Sequence, residues 1–511
     1  MVEVASMTEA ASARSQRTLL SLSTMLAVLL YAIDTTVANV ALPVMQGSLA
    51  ATREQVAWVL TSYLIASAVA LPALGAIEAR LGLRRSFMLA VAGFGVSSVL
   101  CGLAPNIETL VIARFMQGLC GAGLLPLSQT AMQAAYPPGQ QARVFALFGM
   151  GVMVGPVVGP WLGGWLTENF GWRSVFYINM PVVALSLAGL LSTLRGPPQS
   201  NPRSFDRFGF ALLATCILTL QLAVDRGQQL DWFDSPEIVI EVAVGVLAAY
   251  MFVVHSRTGR RTLFPGALLR DRNLVLGVAM SVLVGWPFMG AMVLLPQFLQ
   301  EVQGYSVVDA GILMAPRGLG LIVSMLALSR IGPLIDLRMA FSLGCVLNTV
   351  GLLAFAWLPA DVPANVLTGW LLLQGVGLGL IFVPLNTLTF TTLAPIHRTD
   401  GAALMVLARN LGSSIGVAML VRGISIDAAA NADRLREIAH GVVAEDPGSI
   451  GLALRLVYRE ALVIAYSNQY LILSLMPAVL LPCVWLMQRS AVSGKSRADA
   501  GQAAPPDAVP H

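Results

Sequence analysis

Charge is what this chain has least of. Only 11% of its 511 residues are Asp, Glu, Lys or Arg, where water-soluble domains carry roughly 25%. A body of this size with so little polar surface cannot cover itself in water. Lysine is nearly missing: Lys495 is the single one, so arginine supplies almost all the positive charge. The arginines are scattered between apolar runs without interleaved aromatics, which excludes a nucleic-acid face. Cysteine is sparse, and Cys101, Cys120, Cys216, Cys345 and Cys483 stand in apolar stretches with no CxxC spacing, so they read as packing residues. His255, His397, His440 and His511 are dispersed, and no pair has metal spacing on one helix. No metal site and no cofactor is expected. No nucleophile–base constellation stands among the apolar runs, so the chain is not read as an enzyme.

What is abundant is hydrocarbon. Hydrophobic residues make up 56% of the chain and the mean hydropathy is +0.75, so the solvent it is built for is lipid. A helix needs about 20 mainly apolar residues to cross a bilayer, and by that measure the sequence holds about fourteen crossings. Loop charge tests the count. One alternating set of loops collects Arg14 and Arg17, then Arg80, Arg84 and Arg85, then a run from Arg257 to Arg272, then Arg330 and Arg338. The short loops of the other set offer only Arg53, Arg173 and Arg226, beside acids such as Asp231 and Asp234. Arginine gathers on the cytoplasmic side, so both termini are expected there. The first apolar run is too long for a cleaved signal and is read as a retained helix.

The expected fold is an all-α polytopic membrane protein of about 14 transmembrane helices arranged 6+2+6. Residues 1–18 form a cytoplasmic tail and 19–195 a first six-helix bundle. Residues 196–272 hold two linking helices with cytoplasmic joints at 196–206 and 257–272. Residues 273–490 form a second six-helix bundle with a long outer segment at 424–462, and 491–511 a disordered tail. Transporters are commonly built from two matched bundles that rock about a central site. Segment 424–462 repeats apolar and charged residues at helical spacing. It reads as a pair of surface helices on the headgroups or as a docking site for a periplasmic partner.

An ionisable residue inside a span costs roughly 2.5–3.5 kcal/mol on insertion scales and marks a candidate functional site. Asp34 lies in YAIDTTVANVALP (31–43), with Tyr31, Thr35 and Asn39 forming a polar stripe at i, i+4 and i+8 beside it. An isolated carboxylate there resists ionisation, which suits a group that loads and unloads a proton; a helix-packing node is the alternative. Arg114 shares a helix face with Gln117. Always charged, it cannot carry the proton itself, but it can tune a carboxylate, hold an anionic group or make a structural pair. Arg409, followed by Asn410, is a further cavity or coupling candidate, while Arg317 is expected to snorkel to an interface.

The stretch GMGVMVGPVVGPWLGGWL (149–166) places Gly151, Gly155, Gly159 and Gly163 on one helical face. Such a strip lets another backbone approach closely, and Pro156 and Pro160 are expected to bend the helix. A smooth bent face fits a hinge or sliding seal between two bundles.

These stretches carry a resemblance. YAIDTTVANVALP, ARFMQGLCGAG (113–123), GPVVGPWLGG (155–164) and WRSVFYINMP (172–181) resemble the helix motifs of the 14-helix drug:proton antiporters of the major facilitator superfamily. VDRGQQLDWF (224–233) and VLLPQFLQEVQGYS (293–306) resemble its EmrB-type branch in particular. The resemblance puts Asp34 on the family's acidic position and Arg114, Gln117 and Gly118 on signature positions of the fourth helix. The loop GAIEARLGLRRSF (75–87) matches the superfamily pattern at Gly75, Arg80, Gly82 and Arg84. It departs at Ala79 and Leu83, where the pattern has an aspartate and often a basic residue, although Glu78 is adjacent. The resemblance implies a proton-coupled antiporter in the bacterial inner membrane. It would export small, amphipathic or hydrophobic compounds and work with a periplasmic adaptor and an outer-membrane channel. Two readings stay open beside it: an exporter of one specific metabolite, and a membrane scaffold or sensor that moves nothing.

Overall fold

The computed structural model describes residues 2–137, 140–194, 205–259, 262–439 and 447–488. Among these every regular element is a helix. Twelve stretches are long and apolar enough to cross a bilayer. One of them, Glu54–Leu103, spans 50 residues and holds α2 (Arg53–Ala70) and α3 (Leu74–Leu103). It turns back at Gly82, whose φ of 78° and ψ of 156° favour glycine, so it makes two passes. The 30-residue helix α6 (Gln141–Phe170) adds the fourteenth.

The first bundle is completed by α1 (Val2–Ser48), by α4 (Ile107–Gly121) with α5 (Leu124–Ala135), and by α7 (Ser174–Tyr177) with α8 (Asn179–Thr193). Two linking helices follow, α9 (Arg207–Gly227) and α10 (Pro236–Thr258), then the short α11 (Gly266–Arg270). The second bundle holds α12 (Arg272–Glu301), α13 (Val307–Ile331), α14 (Leu337–Ala356), α15 (Ala364–Thr391), α16 (Arg398–Ala439) and α17 (Pro447–Trp485). Many helices begin on a residue whose side chain accepts from the first turn: Thr52, Asn106, Asp206, Asp271, Ser306 and Asp336. These caps satisfy donors that the helix leaves open.

The bundles repeat one set of pairings. First pass packs on fifth (α1 on α6, α12 on α16), second on fourth (α2 on α4, α13 on α15), and third on sixth (α3 on α8, α14 on α17). The duplication that hydropathy only suggested is therefore visible in the packing. The linking helices pack on each other, pinned by Arg226 to Glu237 at 2.7 Å and to Glu241 at 3.0 Å. Helix α9 touches both bundles through α2 and α16, whereas only 17% of the most apolar window of α10 is buried, so α10 faces lipid. At the other end of the pair Asp206 caps α9 and pairs with His255 of α10 at 2.9 Å.

The bundles meet on the arginine-rich face. Thr130 and Thr399 hydroxyls lie 3.0 Å apart, and Arg398 donates to the Gln133 carbonyl at 3.3 Å. Further in, the Phe145 ring stacks on Phe390 at 5.8 Å and Phe148 on Phe382 at 6.4 Å. Toward the other face Asn39 and Val40 of α1 are exposed. The protein is thus closed on its arginine-rich side.

Two expectations change here. The outer segment 424–462 is not a separate pair of surface helices: α16 and α17 run on through it as extensions of the spans, with residues 440–446 outside the described residues. Asp427 on α16 accepts from Asn468 and Gln469 of α17, both at 3.1 Å, which keeps the two helices together beyond the bundle centre. Arg317 does not snorkel. It is 6% exposed and donates to the Phe288 carbonyl at 3.1 Å, because α13 turns it into the bundle and away from the headgroups. The predicted disordered tail 491–511 and most of the joint 196–206 lie outside the described residues.

Candidate functional site

Asp34 is buried in the first bundle and is not isolated. One carboxylate oxygen lies 2.6 Å from Arg114 Nη1, and the other accepts from Gln117 Nε2 at 2.8 Å and from Asn179 Nδ2 at 3.1 Å. The expected isolated carboxylate is therefore corrected: the α4 turn that puts Arg114 and Gln117 on one face aims both at α1. Ser98 of α3 closes the ring. It accepts from Asn179 at 2.9 Å and from Gln117 at 3.3 Å, and donates to the Phe176 carbonyl at 2.9 Å.

Arg114 is held from several sides besides Asp34. Its Nε donates to the Val59 carbonyl at 3.1 Å and its Nη1 to Gln117 Oε1 at 2.8 Å. The guanidinium also sits 4.4 Å from the Tyr63 ring centroid and 5.7 Å from that of Phe176. These contacts hold the arginine independently of its ion pair with Asp34.

The polar stripe of α1 faces elsewhere. Thr35 donates back to the Tyr31 and Ala32 carbonyls at 3.1 Å, so its hydroxyl stays on its own helix. Asn39 is exposed. Tyr31 points to the second bundle, where Asn410 holds its hydroxyl and Arg409 lies within electrostatic reach. Its ring is 6.4 Å from that of Tyr63. Two tyrosines thus connect the buried Asp34–Arg114 pair to the seam. Arg409 lies on the far side of that seam, 5.5 Å from the Phe382 ring centroid.

The glycine face of α6 does not form the seal between bundles. It packs on α1 inside the first bundle: a Cβ at Gly155 would lie 2.3 Å from the Ala32 carbonyl oxygen, and one at Gly159 would lie 2.0 Å from Thr36 Oγ1. Gly151 abuts Val28 and Gly163 abuts Val37 in the same way. Thr36 donates to the Gly155 carbonyl at 3.1 Å. The strip therefore clamps the turn that carries Asp34. The seam itself uses Gly149, against Met325, on another face of α6. Pro156 and Pro160 lie within the range of α6, and their side chains are outside the described residues.

The loop motif is distributed over the closed face. Gly75 leaves room for Asp400 of the second bundle, Gly82 makes the turn, Arg84 donates to the Leu191 carbonyl at 3.3 Å, and Arg80 lies 6.0 Å from the Phe205 ring centroid. Glu78 is buried there, within reach of Thr399 and Asp400. Where Ala79 replaces the pattern's aspartate, acids from both bundles stand at the seam.

Sequence reasoning missed Asn179, Ser98 and Tyr63 as partners of the node. Asn179 stood in the quoted WRSVFYINMP, a neutral amide in an apolar run that only the fold brings to Asp34. Among the described residues no cluster of His, Cys, Asp or Glu is arranged to hold a metal ion.

The fold and these motifs agree with known proteins. The sequence profile of the Major Facilitator Superfamily matches residues 24–417. The chain is 32% identical over 410 residues to the multidrug export protein EmrB of Escherichia coli, covering 79% of this chain and 80% of that protein. It is also 32% identical over 496 residues to the fatty acid resistance protein FarB of Neisseria gonorrhoeae, covering 93% and 96%. Among solved structures the proton:xylose symporter XylE superposes with a TM-score of 0.58 at 16% identity, over 92% of this chain and 96% of that one. A duplicated six-helix packing, an acid–arginine pair between first and fourth passes and a clamped fifth pass are all present, and the chain belongs to the major facilitator superfamily as a multi-span membrane transporter akin to the EmrB-type multidrug exporters.

Proposed function

We propose that this transporter exports amphipathic small molecules in exchange for protons, alternating between the state seen here, closed on its arginine-rich face, and a counterpart open on that face to the cytoplasm. The observation that carries the reading is Asp34. It is 1% exposed, paired to Arg114, and joined to the seam through Tyr63 and Tyr31. A proton arriving from the outer side neutralises the carboxylate and releases the arginine from its ion pair. Val59, Gln117 and the two rings still hold that arginine. The α1 turn clamped by α6 then becomes free to rearrange against the second bundle. The names of the relatives, a multidrug export protein and a fatty acid resistance protein, support amphipathic cargo. A periplasmic adaptor and an outer-membrane channel belong to the same proposal; the helical extensions of α16 and α17 are the surface such an adaptor would meet.

The driving force is adequate. One proton crossing 100 mV gains about 2.3 kcal/mol and one pH unit adds about 1.4, so one-for-one exchange with a neutral cargo sustains a gradient of roughly 500-fold. Exchange with a monovalent cation feels only the pH term, roughly tenfold.

The test is transport by purified protein in liposomes under separately imposed pH and voltage gradients. Wild type is expected to accumulate cargo with either gradient, and Asp34→Asn to lose the response to the pH gradient. Accumulation by Asp34→Asn with the wild-type pH dependence overturns the assignment of Asp34 as the proton carrier.

A further inference from the structure

The three arginines inside the spans are treated differently by the fold. Arg114 has a carboxylate, two further acceptors and two rings. Arg317 has one carbonyl and is sealed from solvent, with Nη1 buried and unpartnered. Arg409 has neither. Among the described residues its side chain makes no hydrogen bond and no ion pair; its neighbours are the Phe382 ring and the Tyr31 hydroxyl. Yet its side chain is partly exposed, about 16 Å along α16 from the closed face, at the level where α16 looks toward α1.

The acids that could neutralise it are accounted for. Asp34 is committed to Arg114, Gln117 and Asn179. Asp400 and Glu78 stand at the closed face, Asp400 about 14 Å back along α16. Asp225 on α9 accepts from Gln221, which also bonds Ser414, on a different side of α16. Asp427 is about 27 Å further along α16 and bonded to α17. A partly exposed permanent cation without a fixed counter-ion among the described residues can accept a negative charge, since a desolvated charge is tolerated best when something pairs with it.

We propose that Arg409 is the head-group anchor for an amphipathic monoanionic cargo, a carboxylate, sulfonate or phenolate. The guanidinium supplies the charge and a forked set of donors, and Asn410 and Tyr31 supply neutral hydrogen bonds beside it. The Phe382 ring, 5.5 Å from the guanidinium, offers an apolar surface for a tail. The proposal rests on the exporter reading above and names the charge class of its cargo.

The experiment uses purified full-length protein in phosphatidylcholine nanodiscs and three ligands with one decyl chain: decanesulfonate, decanol and decyltrimethylammonium. Binding is measured by calorimetry against empty nanodiscs. Wild type is expected to bind the sulfonate about tenfold or more tighter than either of the others. Arg409→Gln is expected to lose that preference, and Arg409→Lys to weaken sulfonate binding while still preferring the sulfonate, since it retains the charge but not the fork. Unchanged decanol binding in both variants shows that they are folded. Equal or tighter binding of decyltrimethylammonium by wild type, or an intact sulfonate preference in Arg409→Gln, overturns the proposal. So does loss of sulfonate binding on adding phosphatidylglycerol, which would assign the site to a lipid head group. Proton movement in dye-loaded proteoliposomes separates the two readings. Sulfonate-selective binding without any ligand-driven proton flux keeps the anion site and sinks the exporter, whereas proton flux with the cation alone does the reverse.

Discussion

The two bundles share one packing plan and handle buried charge in opposite ways. In the first, the fourth-pass Arg114 meets the first-pass Asp34, two amides donate to the carboxylate, and a serine accepts from those amides. In the second, Arg317 on the second pass and Arg409 on the fifth have no carboxylate partner among the described residues. A charge-balanced, closely bonded node is a place where one added proton changes the balance of forces, even though Arg114 Nη2 is left without a partner. A bundle carrying uncompensated cations is a place where a ligand's charge does so. On the proposed function the duplicated architecture would separate proton handling from cargo recognition, and the tyrosine pair Tyr31–Tyr63 lies between the two charge sites.

The sharpest way to break this comparison is Arg114→Met. It leaves Asp34 buried without its cation, and breaking a buried pair from one side costs about 3–5 kcal/mol. We expect a marked drop in thermal unfolding temperature of the detergent-purified protein, with transport lost. Adding Asp34→Asn should recover most of the thermal stability and none of the coupling. A wild-type unfolding temperature for Arg114→Met would show that the first bundle does not depend on its ion pair.

Next comes the clamp on the Asp34 turn. A Cβ at Gly155 falls 2.3 Å from the Ala32 carbonyl oxygen, while one at Gly164 meets nothing within 4 Å. Gly155→Val should force α6 off α1 and destabilise the fold by about 1–3 kcal/mol as an overpacked contact. Gly164→Ala should leave unfolding temperature and transport unchanged. Equal effects of the two would mean that α6 approaches α1 less closely than described.

The second bundle predicts the contrary result for its sealed arginine. Arg317→Met replaces a half-satisfied buried cation by an apolar chain of similar length, and such replacements are neutral or stabilising. Its unfolding temperature should match or exceed the wild type's, where that of Arg114→Met falls. A loss as large as that of Arg114→Met would erase the distinction between the bundles.

The smallest effect is expected at the seam. Thr399→Val removes the hydrogen bond to Thr130. One hydrogen bond contributes about 1 kcal/mol, which moves the balance between closed and open inner faces by about fivefold. Spin-label distances between the inner ends of α5 and α16 should lengthen in a larger fraction of molecules. An unaltered distance distribution would mean that the aromatic pairs Phe145–Phe390 and Phe148–Phe382 hold the closed state without it.

Much of the molecule could be read from the chain because lipid imposes simple requirements. Every crossing needs an apolar run of sufficient length and internally bonded backbone, so the number of passes, their grouping as six, two and six, and the alternation of arginine in the loops are linear properties of the sequence. For the same reason Asp34, Arg114 and Arg409 stood out as charges where charge is expensive. The direction each side chain takes is not a linear property. Helical spacing put Tyr31, Thr35 and Asn39 on a stripe, yet Thr35 bonds its own helix, Asn39 faces outward and only Tyr31 reaches the other bundle. The glycine face of α6 announced a close approach without saying to which helix, and the rotation of α6 assigns it to α1 and not to the seam.

The sequence by itself determined that this is a membrane protein of fourteen passes with a carboxylate and three arginines inside its spans, since length, hydropathy and charge are carried residue by residue. Only the tertiary structure decided which of those charges neutralise each other. Asp34 finds Arg114, 80 positions away, and Asn179, 145 positions away, while Arg409 finds no acid among the described residues. Coulomb attraction and hydrogen bonding act over a few ångströms of space, and space between helices is set by packing, not by order along the chain.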